Sequence, residues 1–133
     1  MTGMATAPTA ADIEAIARAE LARIPEPLRQ HVRDVVIRIE EFCDAEIERE
    51  MEIDTPFDLL GLYQGTSLSQ KSVADVAYDL DRIFLYRRPI LDYWCESGEP
   101  LDHIVRHVLI HEIGHHFGFS DDDMEHIEED ADR

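Results

Sequence analysis

Residues 111–121 read His-Glu-Ile-Gly-His-His-Phe-Gly-Phe-Ser-Asp. His111 and His115 are four positions apart, so on a helix both imidazoles lie on one face and can reach one ion. Glu112 projects to an adjacent side, where it can touch a metal-bound water without ligating the metal. Gly118 lets the chain leave the helix sharply. The turn can then return Asp121 as a third ligand, at about 2.0–2.2 Å for Zn–O. Three protein ligands leave a fourth position open, the pattern of a catalytic zinc. Zinc would lower the pKa of its bound water towards about 7, and Glu112 would accept the proton as general base. Passing that proton to the leaving amine completes amide hydrolysis without a covalent intermediate.

A long helix must carry these groups. Pro100 opens it and Gly118 stops it. Leu101, Ile104, Val105, Val108, Leu109 and Ile113 give it an apolar face at helical spacing. Upstream, Thr9 to Ile24 reads as a helix capped by Thr9 and Asp12. The β-branched run at Val35–Ile39 reads as a strand, and Asp44 to Glu52 as a short exposed helix. A helical turn leading into a strand fits Pro56 to Gly65, and Thr66 to Ala77 reads as loop. Arg82 to Arg88 alternates Ile83/Leu85 against Phe84/Tyr86, a strand pattern. Pro89 is expected to close that strand and open a helix over Ile90–Glu96. The order implies an α+β fold in one domain, a small sheet packed on one long helix. Residues 1–10 read as a flexible leader and 125–133 as an acidic tail.

The charge is uneven. The chain has 133 residues, 30 Asp+Glu against 12 Lys+Arg, and a net charge of −18. Glu40 to Asp58 holds nine acids and one base, and Ser120 to Arg133 eight acids and one base. Such a balance repels phosphate backbones and argues against nucleic-acid partners. No basic amphipathic stretch favours an anionic membrane, and no apolar run approaches the ~20 residues of a span. The start has neither a basic region nor an apolar core, unlike a secretory signal. Cys43 and Cys95 form no C-x-x-C pattern and read as free thiols in a reducing compartment, which places the protein in the cytoplasm.

Three runs carry a family resemblance: LGLYQGTSLSQKS from Leu60, FLYRRPILDYW from Phe84 and HVLIHEIGHHFGFSDDDM from His107. Together they resemble the small bacterial zincin-like metallopeptidases, formerly a domain of unknown function. The resemblance implies a minimal zincin-like fold and a peptide or protein substrate. It implies Zn2+ as cofactor, with His111, His115 and Asp121 as ligands and Glu112 as general base. Larger metzincins add a methionine turn under the metal. Met124 could be a reduced substitute for it, against the ordinary reading of a core methionine.

Other residues have plainer readings. His107 continues the i, i+4 series and reads as an exposed polar residue or a partner of His111. His116 reads as packing, and Tyr63 and Tyr86 as aromatic core rather than oxyanion donors. Arg82–Arg88 could be the rim to which a peptide adds as a strand. Arg87 and Arg88 would then meet substrate, or instead pair with the acidic segments. Two rival functions share the ligand spacing. One is a non-catalytic metal-binding adaptor. The other is a metal-dependent endoribonuclease of the H-x₃-H-x₅-H type, opposed by Glu112 and by the net charge.

Overall fold

The structure, a computed structural model, describes residues 6–32, 34–65 and 80–132. Its elements run α1 (Ala10–Ala22), β1 (Val36–Glu40), α2 (Ala45–Glu50), β2 (Gly61–Gln64), β3 (Arg82–Tyr86), α3 (Arg87–Ser97), α4 (Leu101–His116) and α5 (Asp121–Ala131), with short 3₁₀ turns at Arg29–His31 and Pro56–Asp58. The architecture is α+β, as the sequence implies. Residues 66–77, read as loop, and the first five residues of the presumed leader lie outside the described residues. Of that leader, Thr9 caps α1 through a box with Asp12, and the Pro8 carbonyl accepts from Arg87 Nε at 2.8 Å.

The sheet order is β1-β3-β2, with β1 parallel and β2 antiparallel to β3. β3 is therefore the central strand. That overturns the expectation that Arg82–Arg88 is a rim open to a peptide, because both edges of β3 are already paired. The alternation read in its sequence does hold. Ile83 and Leu85 face the main core with Tyr63 and α4, while Phe84 and Tyr86 join a smaller cluster with Cys43 and Leu59. Arg87 pairs with Glu41 at 2.8 Å, as the plainer reading held, whereas Arg88 lies 5.6 Å from the Phe42 ring centroid, over an aromatic face rather than an acid. Helix α3 begins two residues before Pro89, which sits in the first turn, where a missing N–H costs nothing.

Helix α4 runs through the middle of the molecule against α1, α3, β2 and α5. Its expected apolar face is buried except for half-buried Leu101, and Ile110 on another side is buried as well. Residues 125–131 of the acidic tail belong to a helix, α5. Ser120 opens α5 with a capping box to Asp123, and Met124, Ile127 and Ala131 at helical spacing are buried. α5 crosses α4 at Gly114, where a Cβ would collide with the Met124 thioether. The methionine is thus core, fully buried beneath the motif helix. No described helix is long and apolar enough to cross a membrane.

Candidate metal and catalytic site

Two neighbours fix the groups on α4, one on each side. On the first side, β2 runs close over the helix. A Cβ at Gly61 would strike Val108 and approach the Glu112 side chain, and one at Gly65 would strike the His116 ring. Glycine at these positions is what allows the strand so near. The Tyr63 ring stacks on His116, with centroids 4.1 Å apart, which makes His116 a packing residue as expected. Tyr63 is buried and its hydroxyl donates to Asp81 at 2.6 Å, so both tyrosines singled out in the sequence take core roles.

The register of β2 matters for Glu112. Tyr86 N–H donates to the Leu60 carbonyl, and Leu62 lies opposite Phe84. In an antiparallel ladder this turns the N–H and C=O of Gly61 and Tyr63 away from β3. The Tyr63 N–H accordingly meets the Glu112 carboxylate. Burial pushes the Glu112 pKa above the ordinary carboxylate range, opposed by His115 and by that N–H. A half-sheltered carboxylate with a raised pKa beside two imidazoles is the expected setting of a proton-transfer group.

On the other side, α5 presents its acids to the histidines. Past Gly118, in the left-handed region at φ 81°, the chain reverses and Phe119 N–H bonds the Gly114 carbonyl at 2.8 Å. Asp121 Oδ1 then lies 3.7 Å from His115 Nε2, with its side chain 90% exposed. His111 and His115 have ring centroids 5.8 Å apart. His111 Nε2 is 3.4 Å from Glu128 Oε2, and His107 Nδ1 is 2.5 Å from Glu128 Oε1. Burial and neighbouring His107 hold the His111 pKa below the usual imidazole value, against the pull of Glu128, which keeps a lone pair free for a metal.

The geometry thus brings His115 to Asp121 on the α5 side, while Glu112 stands on the β2 side of the same helix, close enough for His115 to lower its pKa. Among the described residues, the trio whose donor atoms fall within 4.8 Å of one another is His107, His111 and Glu128 rather than His111, His115 and Asp121. Glu128 escapes the sequence reading because residues 125–133 are taken there as a tail. A signal existed. The Ser120–Asp123 capping box and the Met124/Ile127/Ala131 spacing mark a helix, and on it Asp121 and Glu128 are seven apart, hence on one face. Two imidazoles with nearby carboxylates, one imidazole biased to its neutral form, are a donor set suited to zinc or a similar divalent ion.

A family model described as zincin-like metallopeptidase matches residues 32–131. The chain belongs to that family. No curated protein matches it. The match spans the sheet, the motif helix α4 and all of α5, and leaves α1 outside. For this zincin-like chain, family membership implies a zinc cofactor and a hydrolase acting on peptides.

Proposed function

We propose that the protein is a zinc-dependent peptidase in which His111, His115 and Asp121 hold the ion and Glu112 is the general base. The observation that carries this reading is Glu112 itself, a carboxylate sheltered between β2 and α4, with raised proton affinity, next to the motif histidines. A bound zinc would supply Lewis acidity towards the scissile carbonyl. The chain's own groups do the rest. The backbone of Gly61 and the Tyr63 carbonyl, turned away from β3, offer an edge along which an extended peptide can hydrogen-bond, while the Tyr63 N–H stays with Glu112. β2 thereby takes the part that the sequence suggested for β3. Glu112 removes a proton from the attacking water, holds it on a carboxyl oxygen and delivers it to the departing amine. Tyr63 N–H steadies the ionised carboxylate so that it returns to the basic form after each turnover.

The test is Glu112→Gln, assayed with a broad peptide library in the presence and absence of chelator, with metal content measured in parallel. The expected result is retained zinc and hydrolysis reduced by about 10²–10⁴-fold. Hydrolysis by the variant at the native rate overturns Glu112 as base. Zinc binding without hydrolysis by the native chain would instead favour the metal-binding adaptor.

A further inference from the structure

We propose that His107, His111 and Glu128 form an alternative divalent-cation position at the seam between α4 and α5, one turn along α4 from His115. It stands on its own geometry and does not require the chain to be a peptidase. His107 and His111 are an i, i+4 pair whose ring centroids are 4.0 Å apart. Glu128 divides its two oxygens between them, Oε1 to His107 Nδ1 at 2.5 Å and Oε2 to His111 Nε2 at 3.4 Å. The second of these is too long for a strong hydrogen bond. The carboxylate therefore closes on His107 with one oxygen and leaves the other directed at His111 without a strong bond. It stands across both, and all three donors lie within 4.8 Å of one another. Two imidazole nitrogens and a carboxylate select borderline transition ions such as Zn2+, Co2+ or Ni2+ over Mg2+ or Ca2+.

The position is reachable. His107 and Glu128 line the mouth of a cleft of about 440 Å³ that extends past Tyr93, Glu99 and His103. An ion there keeps room for water ligands. The site also has a logical relation to the HExxH histidines. The nitrogen that faces Glu128 is His111 Nε2, and a ring nitrogen binds one ion at a time. An ion at Glu128 therefore draws on the same atom as an ion shared with His115 and Asp121 if that nitrogen serves both. The chain then binds one ion in two exclusive positions, and α5 supplies a carboxylate to each, from Asp121 in its first turn and Glu128 two turns later.

The experiment uses the full chain titrated with Co2+, whose visible absorption reports coordination, with Zn2+ competition to obtain affinities. In the native chain the expected stoichiometry is one ion. His115→Ala combined with Asp121→Ala should still bind one Co2+ per chain, with an altered spectrum. Adding His107→Ala and Glu128→Gln to that background should weaken binding at least tenfold. The inference falls if the His115/Asp121 variant binds no Co2+ while retaining its native circular dichroism. It also falls if the further pair of substitutions leaves its binding unchanged. His107→Ala and Glu128→Gln alone separate the two readings. Loss of the second position leaves an ion held by His115 and Asp121, whereas failure of the peptidase reading shows as absent hydrolysis with the Co2+ results above intact.

Discussion

Two acidic segments of nearly equal charge have different fates in this fold. Glu40–Asp58 forms the end of β1, helix α2 and a 3₁₀ turn, built around the small cluster of Cys43, Leu59 and Tyr86. In the other segment, Asp121–Ala131 forms α5, whose apolar stripe enters the main core and whose acids meet the histidines of α4. Both open in the same way, on a side-chain cap, Asp44 for α2 and Ser120 for α5. Charge density therefore does not decide which segment serves the site. The apolar residues between the acids do, because they fix the phase of the helix and hence where each carboxylate points.

Removing the apolar anchor of each segment should give the largest contrast. Met124→Ala leaves a cavity under Gly114 and is expected to cost about 2–5 kcal/mol in urea denaturation of the metal-free chain. It should weaken Co2+ binding as well, because it loosens α5. Ile47→Ala on α2 is half-buried, so its cost should be about 1 kcal/mol with Co2+ affinity unaltered. Equal losses of metal affinity in both variants would erase the distinction drawn here.

Loss of the caps should come next. Ser120→Ala and Asp44→Ala each remove a side-chain acceptor at a helix start, at about 1 kcal/mol apiece. The stability costs should match while only Ser120→Ala shifts the Co2+ affinity, and the comparison fails if Asp44→Ala shifts it equally.

Smaller still is the effect of unpinned surface charge. Neutralising Asp122, Glu125 and Glu129 on α5 should weaken Co2+ binding about threefold at low ionic strength, and the loss should fade near 0.15 M salt. Neutralising Glu46, Glu50 and Asp54 should do nothing measurable at either salt concentration.

Glu112 supplies the contrasting case of a sheltered acid, and its effect is read through pH. Its folded pKa is raised, so the folded state holds the proton more tightly than the unfolded chain. Its contribution to stability is full below the ordinary Glu range and is lost as pH rises through the folded pKa. In chelator, Glu112→Gln should therefore melt higher than the native chain at pH 7, and the gain should shrink as pH falls towards 4. A gain that grows on acidification would contradict burial as the cause of the shift.

Much of this arrangement is legible in the sequence because it depends on local periodicity. The alternation in Arg82–Tyr86 marks a two-faced strand, and the spacing from Leu101 to Ile113 marks the motif helix. Pairing order is not local. Nothing in Arg82–Arg88 reveals that β1 and β2 occupy both its edges, so the sequence alone leaves it looking like an open rim. Glu128 is missed for another reason. A high density of acids outweighs three apolar residues in a short segment, although those three residues are what make it a helix. The proposal that Asp121 is a ligand rests on spacing, to which the structure adds its approach to His115.

Arg106 carries one further consequence. Its guanidinium, 9% exposed, lies 3.8 Å from Glu20 Oε1 on α1 and also pairs with Asp132 just past α5. At that separation the Glu20 contact is ionic rather than a hydrogen bond. One cation on the motif helix thus neutralises acids from the first and the last helices at once. The region of family likeness begins at residue 32, yet the packed core includes α1 before it, because without α1 this buried charge loses a partner and Ile13 and Ala17 leave the core. The limits of sequence kinship and the limits of the packed core do not coincide in this protein.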